Sequence, residues 1–172
     1  SQTVRCDRIL SDGDQLQLGK QEWTVLITPG HHPGHICLSS PAGIVAGDMV
    51  AGIGTILIPP GTGDMDVYIE QLERLRELKP HLLFPSHGPV IPLPEKTLSY
   101  YIKHRKQRHQ RVLEAVEFGH KTISAIATMA YSDSPDAHPG LAQDQTLAHL
   151  LSHERMGLVE QQSNGWNLRG VE

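Results

Sequence analysis

Three short segments each place a metal-competent side chain beside glycine at the end of an apolar run. They are Thr28-Pro29-Gly30-His31-His32-Pro33-Gly34-His35, Ala46-Gly47-Asp48 and Pro85-Ser86-His87-Gly88. Neutral imidazole and carboxylate are common ligands of zinc. His31 lies 17 residues before Asp48, and Asp48 lies 39 before His87. Spacing that wide excludes a zinc finger, whose ligands come in close pairs. It suits a centre assembled from several strand ends, where side chains distant in sequence meet at one point. The chain has 11 histidines, a supply that also favours metal chemistry.

The elements that must position these residues follow from patterning. Val4–Leu10 predicts a short strand, Asp12-Gly13-Asp14 a turn, and Leu16-Gln17-Leu18 and Trp23–Ile27 two further strands, the last stopping before Pro29. Ile36–Leu38 and Gly43–Ala46 predict a hairpin around Ser40-Pro41-Ala42. Asp64 is placed to cap a helix in which Met65, Tyr68, Ile69, Leu72, Leu75 and Leu78 recur every three or four residues. Lys79-Pro80 ends it, and Leu82–Phe84 is a buried strand that delivers His87. A long helix is expected over Glu95–Phe118 with Gly119 as its stop, then helices over Thr122–Tyr131 and Leu141–Arg155. Leu158–Glu160 and Gly165–Leu168 predict a terminal hairpin. Three helices followed by two strands is the element order of a winged helix, with Leu150, Leu158 and Trp166 as its core. The chain divides on this reading into residues 1–94, a connecting basic helix 95–119 and an appendage 120–172.

Composition bounds the function. The 172 residues are 38% hydrophobic and 20% charged, enough for one or two small domains with real cores. The formal charge of -4 gives no overall bias toward nucleic acid. No apolar run approaches the ~20 residues that span a bilayer, so no membrane partner is expected. No signal-peptide pattern opens the chain, though Ser1-Gln2 without an initiator methionine points to a trimmed start. Cys6 and Cys37 form no Cys-x-x-Cys pair and predict two reduced thiols in a cytoplasmic protein.

The segments Thr28-Pro29-Gly30-His31-x-x-x-His35, Gly47-Asp48 and Ser86-His87-Gly88 resemble the second half of the metallo-β-lactamase superfamily, nearest its glyoxalase-II-like hydrolases and β-lactamase-like endoribonucleases. Gly52-x-Gly54-Thr55 and His104-Arg105-x-x-Arg108 look like the same subgroup, whose members often carry a C-terminal winged-helix-like appendage. The resemblance implies an α/β (α+β) fold: half of a four-layer αββα sandwich followed by a small helical winged-helix-like domain. It implies that His31 ligates one metal, that Asp48 bridges two and is the catalytic carboxylate, and that His87 ligates the second. Two Zn²⁺ ions would occupy a complete site, with iron or manganese suiting the same ligands, and a metal-bound hydroxide would hydrolyse an ester, thioester or phosphodiester. His35 would face the substrate or support the ligands.

The family's first-half motif, His-x-His-x-Asp-His, occurs nowhere in the 172 residues. Three ligands shared between two metals leave each under-coordinated, because zinc wants four. The expectation is weak metal binding, little or no turnover by this chain alone, and pairing of two chains through the exposed half-sandwich surface.

Residues 96–111 carry six Lys or Arg and no acid, whereas residues 112–172 carry three basic and eight acidic residues. The basic helix is either a solvated or internally paired face, or a grip on a small anionic substrate by His104, Arg105 and Arg108. Single-stranded RNA is the rival substrate, and a non-catalytic interaction module the rival class. Duplex DNA is not expected, because the best recognition-helix candidate, from Asp144 to Arg155, lacks a basic surface.

Overall fold

The computed structural model describes residues 6–170. Strands β1 (Gln15–Leu18), β2 (Gln21–Ile27), β3 (Ile36–Ser40), β4 (Gly43–Gly47) and β5 (Leu83–Pro85) form one sheet in that spatial order. Its neighbours are antiparallel except β4 and β5, which run parallel because helix α1 (Met65–Glu77) crosses over between them. The register puts Leu26, Cys37, Ala46, Ile44 and Leu83 on one face. That face and the Met65, Tyr68, Ile69, Leu72 and Leu75 stripe of α1 form the main core. On the other face Leu38, Val45 and Phe84 stay partly exposed.

Helix α1 starts where a cap residue allows it. Asp64 is extended, and its Oδ1 accepts from the backbone N–H of Asp66 and of Val67 at 3.1 and 3.2 Å. The helix ends with Lys79 in the left-handed region at φ 47° before Pro80.

Helix α2 (Pro94–Glu117) opens with proline in its first turn and is followed by Gly119 at φ 92°. Its 24 residues span about 36 Å, long enough to serve two cores. Leu98, Tyr101 and Ile102 join the sheet core. Val112, Ala115 and Val116 join a second cluster with Ile126, Ala130, Leu150, Val159 and Trp166. That cluster is closed by α3 (Ile123–Ala130), α4 (Pro139–Arg155) and the hairpin of β6 (Val159–Gln162) and β7 (Gly165–Leu168).

Two details differ from the sequence reading. Cys6–Leu10 forms no strand; Val4 and Arg5 lie outside the described residues. Leu158 is 41% exposed, and the fully buried side chain is its neighbour Val159, because alternation along β6 turns Val159 inward. Cys6 and Cys37 are both free thiols. Among the described residues no helix is long and apolar enough to cross a membrane.

Candidate metal centre

His31, Asp48 and His87 each leave the sheet at a strand end, and the fold brings them together. His31 Nε2 lies 3.6 Å from Asp48 Oδ2, and His87 Nε2 lies 3.2 Å from Asp48 Oδ1. The carboxylate stands between the two imidazoles and offers one oxygen to each.

Local backbone makes this meeting possible. Gly30 has φ 128°, and a Cβ there would lie 2.4 Å from Tyr68 Cα. Only glycine lets the His31 loop press against the first turn of α1, where the Asp64 N–H donates to the Gly30 carbonyl at 2.7 Å. Gly47 has φ 54°, and a Cβ there would lie 2.5 Å from His35 Nε2. The parallel pairing of β4 and β5 carries Ser86 N–H onto the Gly47 carbonyl at 3.0 Å, which sets His87 beside Asp48. The Gly52 N–H then holds the His87 carbonyl at 2.8 Å.

His35, expected to face the substrate or to support the ligands, has both its nitrogens engaged inside the protein. Nε2 accepts from the Asp48 N–H at 3.0 Å, and Nδ1 lies 2.8 Å from Thr28 Oγ1. An accepting Nε2 requires the proton on Nδ1, which therefore donates to Thr28. The Thr28 hydroxyl donates to Cys37 Sγ at 3.3 Å, and the thiol donates to the Ala46 carbonyl at 3.5 Å. The chain of donors runs from the Asp48 backbone N–H to the Ala46 carbonyl of the strand that precedes it and anchors the Asp48 backbone. Burial holds the His35 pKa down and pushes the Cys37 thiol up to about 11, so both stay neutral in the relay. Nothing in the sequence pattern distinguished Thr28 or Cys37 for this task. His32 is exposed and its Nδ1 accepts from Gly34 N–H at 3.1 Å, an ordinary turn contact.

Two cations of the basic helix, Arg105 and Arg108, face inward, whereas Lys96, Lys103 and Lys106 are exposed. Arg105 is 2% exposed; its guanidinium donates to the Ile56 carbonyl and to Gln145 Oε1 and lies 5.6 Å from the Tyr68 ring centroid. Arg108 is 4% exposed and donates to the Ala130 carbonyl, to Asp133 and to Ser134. Arg111 also pairs with Asp133, and Lys106 with Glu73. The internally paired alternative describes the hydrogen bonds of Arg105 and Arg108, although both also line the cleft that His104 borders. His104 is half-buried, stacks on Tyr100, and lines a cleft of about 230 Å³ with Thr55, Tyr131 and His138. Burial lowers its pKa.

The donor chemistry suits a borderline divalent cation: two imidazole nitrogens and a carboxylate whose Oδ1 is buried and accepts no hydrogen bond. The count limits it. Each side of the carboxylate offers one oxygen and one nitrogen. Among the described residues no group of three or more His, Cys, Asp or Glu side chains is placed to hold an ion by itself.

Comparison with known proteins places the chain in a family. The sequence profile of the metallo-beta-lactamase superfamily matches residues 4–87. A beta-lactamase-like protein 2 homolog of Drosophila melanogaster is 32% identical over 137 residues, covering 77% of this chain and 46% of that protein. An atrochrysone carboxyl ACP thioesterase of Aspergillus fumigatus is 29% identical over 108 residues, covering 62% of this chain and 33% of that protein. A metallo-beta-lactamase family protein of Thermus thermophilus superposes with a TM-score of 0.77 at 22% identity, covering 93% of this chain and 54% of the other. The chain spans about half the length, or less, of the curated relatives it matches. With a mixed α/β fold shared with solved metallo-beta-lactamases and a sequence that matches their profile, the chain belongs to the metallo-beta-lactamase superfamily.

Proposed function

We propose that this chain carries one face of a dinuclear metal centre that hydrolyses an ester or thioester. The observation that carries the reading is the placement of Asp48 between His31 and His87, with one oxygen toward each nitrogen. On this reading His31 and Asp48 would hold one cation, and His87 and Asp48 the other. Divalent metal there supplies Lewis acidity to the scissile carbonyl and lowers the pKa of water. His35, held neutral between Thr28 and the Asp48 N–H, anchors the backbone from which the carboxylate projects. The thioester preference draws on the Aspergillus fumigatus relative, which is named a thioesterase.

The rival reading, cleavage of single-stranded RNA, needs the basic helix as a phosphate grip. Arg105, Arg108, Arg111 and Lys106 are held by partners within the protein, which favours a carbonyl substrate. Two donors per cation also imply weak metal affinity and little turnover by this chain without further ligands.

Zinc titration of the full chain and of Asp48→Ala tests the reading. Weak binding that falls at least ~10-fold in the variant is expected, a loss no smaller than those seen for outer supporting residues. Two tightly held zinc ions per chain would refute the weak binding expected of so few ligands, and affinity unchanged in Asp48→Ala would refute the shared-carboxylate assignment. Hydrolysis of a thioester against RNA cleavage, assayed with added zinc, separates the two substrates. Zinc indifference in both proteins leaves the non-catalytic module.

A further inference from the structure

His31 makes its hydrogen bond to the protein through a single carbonyl. Its Nδ1 lies 2.8 Å from the Leu57 carbonyl oxygen and donates to it, which leaves Nε2 free to face Asp48. A metal-ligating histidine commonly has its second nitrogen fixed in this manner, and the partner sets both tautomer and ring direction. What holds the Leu57 carbonyl is therefore part of the site.

Leu57 sits in a stretch with no regular secondary structure, so neither a helix nor a sheet ladder fixes its peptide. Its two neighbours are fixed from outside. The Ile56 carbonyl accepts from Arg105 of α2. Ile58 is pinned at both ends by one side chain of α4: its N–H donates to Gln145 Oε1 at 3.2 Å, and its carbonyl accepts from Gln145 Nε2 at 2.8 Å. Arg105 also donates to Gln145 Oε1 at 2.9 Å, so the two side chains form one unit. Ile56 and Ile58 are buried, whereas the Leu57 side chain between them is 37% exposed. With both flanking peptides clamped, the Leu57 carbonyl is aimed at His31.

The cation in this clamp is unusual. Among the described residues no carboxylate lies within ion-pair distance of Arg105, although it is 2% exposed. A buried guanidinium is retained only where hydrogen bonds and neighbouring dipoles replace its hydration. Here two neutral acceptors serve the terminal nitrogens and the face of Tyr68 lies beside them, while Nε is buried without a partner; the Tyr68 hydroxyl donates in turn to the Met49 carbonyl at 2.7 Å, one residue beyond Asp48.

The geometry points to Gln145, acting with Arg105, as a positioning residue for His31: the C-terminal helical region sets the tautomer and direction of a candidate metal ligand through the Ile56–Ile58 backbone. The metal arm of this inference rests on His31 being a ligand; the tautomer arm does not. Gln145 touches neither Asp48 nor His31, and it acts across 87 residues of sequence.

The test is long-range ¹H–¹⁵N correlation of His31 in the full chain at pH about 8, above the ordinary histidine pKa of about 6.5, together with zinc titration. In the unaltered protein His31 reports a protonated Nδ1 and a bare Nε2. In Gln145→Leu the two tautomers mix, and zinc affinity falls about 10–100-fold. Gln145→Glu keeps both bonds to Oε1 and retains most of the Nδ1–H form. Ile126→Val, a softening of the second core away from the clamp, leaves the His31 nitrogens unchanged. If Gln145→Leu does not fold, Arg105→Lys, which cannot reach both acceptors at once, is read for the same mixing. An unchanged His31 spectrum in a folded Gln145→Leu or Arg105→Lys overturns the inference, as does equal mixing in Ile126→Val. Failure of the unaltered protein to bind zinc counts against the metal centre alone, since the nitrogen spectra still decide the clamp.

Discussion

Acid should loosen the helical region before it touches the carboxylates. His109 of α2 meets His149 and His153 of α4 between the two helices. His109 and His149 share a hydrogen bond of 3.0 Å between Nδ1 atoms, His153 stacks on His109 at 3.7 Å, and His153 Nε2 donates to the His109 carbonyl at 2.9 Å. His149 Nε2 and His153 Nδ1 are buried without partners. Burial is the main cause that lowers all three pKa values, His109 to about 4 and His149 well below the usual range. The charges facing the cluster are Asp66 of α1, which favours protonation of His109 and His153, and Arg105 and Arg108 of α2, which oppose it at His149.

A depressed histidine pKa means the unfolded chain binds protons that the folded chain refuses, so stability falls as pH drops through about 6.5. For His109 alone the difference between pH 7 and pH 5 comes to about 2 kcal/mol, trimmed to about 1 by its partial exposure to water. His149 and His153 add in the same direction. The carboxylates with lowered pKa, Asp12, Asp14 and Asp133, lose their contribution only below their ordinary 3.8, outside this window. Urea unfolding followed by Trp166 fluorescence in a Trp23→Phe background, at pH 7 and pH 5, measures the loss. His149→Leu should flatten the profile, although His35 and His104, also lowered by burial, leave a residual slope. Equal stability at the two pH values, or a slope untouched by His149→Leu, would refute the assignment to this cluster.

Two further outcomes follow from the site's supports. Gly30→Ala should destabilise the fold by about 1–3 kcal/mol in urea, because its methyl group would enter the Tyr68 backbone at a positive φ. In the native protein a thiol reagent should modify Cys6 and spare Cys37, whose buried thiol is pushed up to about 11; rapid labelling of both would show that the Thr28–Cys37 contact opens readily.

Much of this protein was written locally. The stripe from Met65 to Leu75 and the cap at Asp64 specify α1, because helix periodicity and an oxygen able to accept from the first free N–H groups are properties of neighbouring residues. Gly119 and Pro80 mark helix ends for the same reason. The convergence of His31, Asp48 and His87 was also legible, since each closes an apolar strand and the strands must pair. The segment Cys6–Leu10 had the composition of a strand but pairs with neither edge of the sheet, and composition alone does not supply a partner.

Residue order along the chain was enough for the elements, the family likeness and the three side chains that meet. Only the packed fold settles which way the cations and histidines of α2 face. Arg105 and Arg108 look like a surface grip in the sequence, yet the packing of α4 and of the α3–α4 loop turns them inward. Packing likewise commits both nitrogens of His35 to Thr28 and Asp48, and brings Gln145 back to Ile58. The cause is range: periodicity and capping act within one turn of chain, whereas the partner of a polar atom depends on which elements are brought within about 3 Å of it by the whole fold.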